Sequence, residues 1–338
     1  MDKVNTRLIE IPDKDSLEKC AKIIKEGGIV AFPTETVYGL GADALNPQAV
    51  DKIFQAKGRP NDNPLIIHIH DVKVLDKYVK DIPAVLSVLA KLYMPGPLTV
   101  VLKKKDIVPD CVTAGLDTVA VRIPDNDIAL KLIQYADTAI AAPSANISGK
   151  PSPTMYEHVV SDLSGKVDAI INGGKCRIGV ESTVLDLTSD KPVILRPGGV
   201  TYDSLKLVIK ILDTTASSSS DTPKSPGMKY RHYAPKADMV IVKGDTVNVV
   251  ERINNLINDN TAVLCSKETF DEYNTVNKLC AGSIHDPYEI ASNIFECLRM
   301  FDQMKVKKIY CEYFDTKGIG EAVMNRLLKA ASQNVINV

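Results

Sequence analysis

The chain has 338 residues, 45% of them hydrophobic and 25% charged, with a net charge of −1. That length exceeds one core of ordinary size and predicts two domains, while the lack of a run of about 18 apolar residues, or of an apolar stretch behind Met1-Asp2-Lys3, argues against a membrane helix and a signal peptide. Seven scattered cysteines without CxxC or a Cys/His cluster argue against a disulfide framework or zinc site and fit a reducing cytosol; no Trp, 5% aromatics and 26 Lys/Arg against 26 Asp/Glu over residues 1–212 argue against a nucleic-acid-binding body.

The first predicted helix is Asp15–Glu26, capped by Asp13 or Asp15 and stopped at Gly27. A short buried strand, Gly28–Phe32, follows, then a helix Pro47–Gly58 opened by proline in its first turn. Leu65–Ile69 reads as a strand, Pro83–Tyr93 as a helix ended by Met94-Pro95-Gly96-Pro97, and Leu98–Leu102 and Val119–Ile123 as strands. Next come a helix Ile128–Tyr135, a buried strand Ala139–Ala142 and a helix Thr154–Leu163. Strands Ala169–Ile171, Thr183–Leu187 and Val193–Leu195 precede a helix Ser204–Leu212. Strands and helices mix without strict alternation, which predicts a twisted, mixed sheet. Fourteen of the 19 glycines precede residue 200, so the exacting turns belong to this segment.

Residues 213–227, rich in Ser, Thr and Pro, cannot bury a core and read as a linker. The stretch Met228-Lys229-Tyr230-Arg231-His232-Tyr233-Ala234-Pro235 is too dense in rings and cations for a passive tether. Beyond it, strands Met239–Val242, Ala262–Cys265 and Lys308–Cys311 alternate with helices Val247–Ile257, Pro287–Met304 and Gly320–Ser332, which predicts a small three-layer parallel unit. The expected division is 1–212, a linker and lid over 213–236, and 237–338.

No GxxxxGK[ST] loop is present. Gly39-Leu40-Gly41 and Gly318-Ile319-Gly320 are half fingerprints that read as turns or helix starts rather than dinucleotide cradles. Pro33-Thr34-Glu35-Thr36-Val37-Tyr38 follows a buried strand; its hydroxyls and carboxylate either grip a small polar ligand or bond the local backbone. Lys57-Gly58-Arg59-Pro60-Asn61-Asp62-Asn63-Pro64 either caps a helix with cations or presents a point charge and a guanidinium fork to a polyphosphate. His68 on its strand reads alone as structural. Ser144 and Asn146 project a hydroxyl and an amide from one loop, or form a simple turn; Glu181-Ser182-Thr183, Arg122 and Leu195-Arg196-Pro197-Gly198-Gly199 stand at further strand ends. Together these loops describe a pocket for an anionic, hydroxyl-rich ligand such as a nucleotide. No Ser or Cys has a recognisable His/Asp partnership, which is compatible with chemistry at a phosphate, where positioning and charge neutralisation dominate.

FPTETVYGLGADA, KGRP with NPL, the PSAN loop, ESTV and LRPG, in this order, resemble the YrdC domain, and SPGMKYRHYAP followed by a small α/β domain resembles the long, two-domain form of the threonylcarbamoyl-AMP synthase family. The resemblance covers essentially the whole chain, with the Lys57/Arg59 and Ser144/Asn146 pairs that mark the family. It implies an N-terminal YrdC-like mixed sheet, a C-terminal Rossmann-like α/β domain, and a cytoplasmic nucleotidyltransferase. That enzyme condenses L-threonine, bicarbonate or CO2, and ATP into threonylcarbamoyl-AMP and pyrophosphate, with Mg2+ on the phosphates. The product goes to separate machinery that modifies tRNA beside the anticodon; no stable nucleic-acid partner and no membrane are implied. The resemblance assigns threonine contacts to Thr36, His68, Arg122, Ala142 and Ser182. It assigns ATP contacts to Arg59, Asn63, Thr118, Ser144, Ser152, Arg196 and a residue near His232. Lys57 and Asn146 help hold the phosphates, Lys57 and Arg59 are the expected catalytic pair, and Lys229, Tyr230, Arg231 and Tyr233 form a lid. An RNA-binding module is disfavoured by the charge balance, and carbamoyl transfer in metalloenzyme maturation by the absence of paired cysteines.

Overall fold

A computed structural model describes residues 4–210 and 233–338. They divide into two compact units. The first comprises 4–148, 153–177 and 181–210; the second comprises 233–338 with the short segments Gly149–Ser152 and Ile178–Val180.

The first unit is built on eleven strands: β1 (Arg7–Ile9), β2 (Val30–Phe32), β3 (Gly39–Asp43), β4 (Ile66–His68), β5 (Val79–Lys80), β6 (Leu98–Lys104), β7 (Thr118–Arg122), β8 (Ile140–Ala141), β9 (Ala169–Ile171), β10 (Thr183–Asp186) and β11 (Val193–Arg196). They form one mixed sheet in the order β1-β9-β2-β3-β8-β4-β7-β6-β10-β11, with β5 on β6. Its helices are α1 (Lys14–Lys25), α2 (Pro47–Lys57), α3 (Val85–Tyr93), α4 (Asp110–Thr113), α5 (Asp127–Ala136), α6 (Tyr156–Leu163) and α7 (Tyr202–Lys206). Local chemistry explains the ends. Asp13 and Ser16 form a reciprocal capping box that starts α1, whose Leu17, Cys20, Ala21 and Ile24 fall on one buried stripe. Asn46 caps α2 before Pro47, and Gly58, at φ 60°, supplies the left-handed residue that ends it.

The expected mixed α/β sheet is present, with one correction at the family motif. Gly39-Leu40-Gly41 is neither a turn nor a helix start; it is β3, antiparallel to both β2 and β8. A Cβ on Gly41 would lie 2.6 Å from Ile140 and 2.7 Å from Phe32, so the glycine admits side chains from both neighbouring strands. Gly318-Ile319-Gly320 does start a helix.

Register sorts the sheet's residues between its faces. One face packs Ile67, Val100, Val121 and Leu185 with side chains of α2, α3 and α6. On the other, Val30, Phe32, Ile140 and Ile171 lie under Leu17 and Ile24 of α1 and Leu132 and Ile133 of α5. Farther along this second face, Ile66, Val101, Ala120 and Val184 gather with Leu195 in a cluster that contains no helical residue among those described.

The second unit holds β12 (Asp238–Lys243), α8 (Thr246–Asn254), β13 (Thr261–Cys265), β14 (Lys278–Cys280), α9 (Pro287–Met304), β15 (Lys308–Glu312), α10 (Gly320–Ala330) and β16 (Val335–Asn337). The sheet, β14-β13-β15-β12-β16, is parallel throughout, as the strand–helix alternation predicts. Val240, Val242 and Val263 pack with Val249 and Ile253 of α8. At the carboxyl end of β15, buried Glu312 accepts from Ser266 N at 2.8 Å and from the hydroxyls of Thr269 and Tyr273. No helix among the described residues is long and apolar enough to cross a membrane.

Candidate functional site

The polar residues of the first unit's second face lie beside the helix-free cluster. Arg122 pairs in register with His68 on β4 and Thr99 on β6, and Val184 on β10 pairs with Thr99 and with Arg196 on β11. Cross-strand partners share a face, and alternation adds Ser182, Ala120 and Thr118. Ile66, Val101, Ala120 and Val184 supply the apolar floor between these polar groups.

Arg122 is the hub. Its terminal nitrogen donates to Thr36 Oγ1 at 2.8 Å and lies 2.8 Å from Glu35 Oε2 in an ion pair whose side chains are 5% and 2% exposed. The loop after β2 thus divides its labour. Thr34 holds the turn, donating to Val37 O at 2.6 Å and accepting from the amides of Thr36 and Val37, while Glu35 and Thr36 reach Arg122. His68 is buried with its ring edge-on to Phe32; burial and the nearby Arg122 charge push its pKa down to about 3, so the imidazole is neutral. Ala142 donates its amide to Ile66 O and is buried with α1 and α5.

Ser182 is fully buried, its hydroxyl 2.7 Å from that of Thr99. Arg196 donates to Ser182 O through two nitrogens, at 3.1 and 2.9 Å, and to Ser182 Oγ at 3.1 Å. Arg196, expected at ATP, is therefore placed on the Ser182 backbone. Thr118 shares the face but starts β7 where Arg122 ends it, roughly 13 Å away at strand rise.

The Ser144–Asn146 loop sits beside Gly39, bridged to Ser144. Lys57 is buried, and its ammonium donates to Ser144 O, to Asn146 O at 2.5 Å and to Asn146 Oδ1 at 3.4 Å. Ser144 Oγ donates to the same amide oxygen at 2.6 Å, and Asn146 Nδ2 donates to Ile147 O. The Lys/Ser/Asn signature thus closes on itself, with the lysine fastening the loop from behind. Arg59 is half-buried and reaches Asn63 O at 3.4 Å, while the Asn63 amide is buried with neither side-chain atom hydrogen-bonded among the described residues.

Ser152 is buried in a segment belonging to the second unit. Tyr233, expected in the lid, packs against Phe295 in the second unit with ring centroids 5.3 Å apart. Lys229, Tyr230, Arg231 and His232 lie outside the described residues. Two residues outside the expected set belong to the cluster: Glu35, which the motif displays, and Thr99, which period-two alternation behind Pro97 could have placed. Burial raises the thiol of Cys176 to about 12 and that of Cys20 to about 11, which favours their protonated form.

Among the described residues no three His, Cys, Asp or Glu side chains converge as metal ligands. The groups of this site are guanidinium, ammonium, hydroxyl, amide and a neutral imidazole, with Glu35, paired to Arg122, as the carboxylate of the cluster. One carboxylate already paired to a guanidinium fits Mg2+ only as an ion carried on phosphate oxygens.

The family model described as "Telomere recombination", covering Sua5, YciO and YrdC proteins, matches residues 22–198, and the one described as "Threonylcarbamoyl-AMP synthase, C-terminal domain" matches 200–332. Threonylcarbamoyl-AMP synthase of Pyrococcus abyssi is 50% identical over 94% of each chain, and that of Bacillus subtilis 46% identical over 95% of this chain and 94% of its own. The crystal structure of P. abyssi Sua5 complexed with L-threonine superposes with a TM-score of 0.91 at 47% identity, covering 98% of this chain and 99% of that one. Escherichia coli YciO superposes with a TM-score of 0.51 at 26% identity, covering 59% of this chain and 96% of its own. With both of its segments matched and relatives alike over nearly their full length, the chain belongs to the threonylcarbamoyl-AMP synthase family in its two-domain form.

Proposed function

We propose that the protein is an L-threonylcarbamoyladenylate synthase, a nucleotidyltransferase that joins L-threonine, CO2 from bicarbonate, and ATP into threonylcarbamoyl-AMP with release of pyrophosphate. The observation that carries this reading is the Arg122 cluster: a buried guanidinium with a hydroxyl partner and a neutral imidazole on the same sheet face, beside an apolar floor. Such a site suits a small amino acid whose carboxylate meets the fork of Arg122. The P. abyssi relative solved with L-threonine supports it.

The threonine half-site comprises Thr36, His68, Arg122, Ala142 and Ser182. Arg196 acts there by holding Ser182, in addition to the nucleotide role the resemblance gives it. The nucleotide half-site comprises Arg59, Asn63, Thr118, Ser144, Asn146, Ser152 and His232, with Lys57 fixing the Ser144–Asn146 loop and lending it positive potential. Threonine's amine and CO2 form a carbamate, a weak and short-lived nucleophile, so the chain's task is alignment at the α-phosphorus and exclusion of water. Arg59 offsets phosphate charge, and Mg2+ bound to the phosphates supplies further neutralisation. The division into 1–212, a lid-bearing linker 213–236 with Lys229, Tyr230, Arg231 and Tyr233, and 237–338 belongs to the same reading. So does delivery of the product to a separate tRNA-modifying transferase in the cytoplasm.

The experiment is release of pyrophosphate from ATP by the full chain with threonine and bicarbonate. Release that requires both co-substrates and no tRNA supports the proposal; release indifferent to threonine sinks it.

A further inference from the structure

The Arg122 cluster has a polar imbalance. Both carboxylate oxygens of Glu35 are buried without a hydrogen bond among the described residues: the Arg122 nitrogen 2.8 Å away is a charge partner, off the line a hydrogen bond requires. Among the described residues, Arg122 Nε is likewise buried with no acceptor and His68 Nδ1 with no hydrogen-bond partner. A buried carboxylate ordinarily collects several donors, because stripping it of water is costly otherwise. The flanking hydroxyl protons are committed elsewhere: Thr34 donates to Val37 O, which leaves Thr36 Oγ1, 2.9 Å from Thr34 Oγ1, to donate to Thr34. The cluster therefore lacks a multi-donor cation on the Glu35 side and an acceptor on the Arg122 side. A zwitterion carries both, one carbon apart.

We infer that Glu35 is a specificity-determining residue that receives the α-ammonium of the amino-acid substrate while Arg122 receives its carboxylate. The inference rests on the proposed threonine site and goes beyond the residues assigned there. An opposite-charge pair 2.8 Å apart meets the substrate's dipole head to tail, so each buried charge gains a partner when the amino acid enters. A 2-hydroxy acid of the same shape satisfies Arg122 and leaves Glu35 without its cation.

The test is calorimetric binding to the full chain of L-threonine and of 2,3-dihydroxybutanoate, threonine with a hydroxyl in place of its amine. The wild-type protein is expected to prefer threonine by about tenfold or more, the scale of a charge-assisted hydrogen bond. Glu35→Gln is expected to lose that preference by weakening threonine alone, with the hydroxy acid within about twofold of wild type. Equal loss of both ligands overturns the inference and reduces Glu35 to a prop for Arg122; no loss of either overturns it too. Should Glu35→Gln not fold, Glu35→Asp, which keeps the charge, must retain the ammonium preference. A wild-type protein that binds neither ligand takes down the proposed function as well, so the two failures are told apart.

Discussion

Along the second face of the first unit's sheet, the half built on β9, β2 and β8 buries Val30, Phe32, Ile140 and Ile171 under α1 and α5, while the half built on β4, β7, β6, β10 and β11 carries His68, Arg122, Thr99, Ser182 and Arg196 around a small apolar floor. Backbone and register are continuous across the two halves. The difference lies in what the side chains are for. Under the helices, burial of apolar surface stabilises the fold at about 25 cal/mol per Å2. In the other half, buried charges sit where they cost stability unless a partner arrives. Among the described residues, polarity beside a cluster without helical members sets this half apart more clearly than any single motif.

The sharpest way to break this comparison is Arg122→Ala. Removing one member of a buried ion pair leaves Glu35 uncompensated, and the variant is expected to unfold about 3–5 kcal/mol more easily in denaturant. Its threonine requirement should rise far more than its ATP requirement; weakening confined to ATP would mean that the two half-sites are exchanged. In the other half, Leu132→Ala on α5 should cost about 2–5 kcal/mol through a cavity while the folded enzyme keeps its threonine KM. A threonine defect there would show the halves to be one functional unit.

Arg59→Ala comes next. Loss of charge-assisted phosphate contacts worth about 1.5–3 kcal/mol each should lower pyrophosphate release by about tenfold or more at fixed ATP. Normal release would remove Arg59 from the nucleotide half-site. The last effect concerns acid and is read on stability rather than on activity. His68 is held at about 3 in the folded chain against an ordinary value near 6.5, so the unfolded chain binds the extra proton between those limits. The stability that His68 contributes is therefore complete above about pH 6.5 and is lost as pH falls toward 3, by at most about 1.4 kcal/mol per pH unit. Denaturation midpoints between pH 7 and 4 should fall less for His68→Gln than for wild type. Parallel decline in both would place the imidazole in water.

How much of this was legible in the sequence differs by element for physical reasons. α1 and α2 declared themselves through Asp13, Gly27 and Pro47, because such end signals are local, while the Asn46 and Gly58 caps of α2 went unread. The parallel sheet of the second unit followed from alternation of strand and helix, although the short, partly exposed edge strands β14 and β16 escaped notice. β3 was hidden by its own glycines, which lower strand propensity for the sake of Phe32 and Ile140 across the sheet. At the site, loops bearing Pro, Gly and hydroxyls were conspicuous. The orientation of Lys57 was not: beside Arg59 it reads as a phosphate ligand, whereas the fold turns its ammonium onto carbonyls 87 and 89 residues away. Thr99 and Glu35 were visible locally, but their tie to Arg122, through register for Thr99 and an ion pair for Glu35, joins residues far apart in the chain.

Hydrogen exchange on the full chain with and without L-threonine tests most directly the claim that the helix-free half of the face is the amino-acid site. Slowed exchange is expected in the 33–38 loop, at the ends of β4 and β7 around His68 and Arg122, and at Ser182, with α1 and α5 unchanged. Protection confined to the second unit or to the helix-covered half, with those segments exchanging as before, would contradict it.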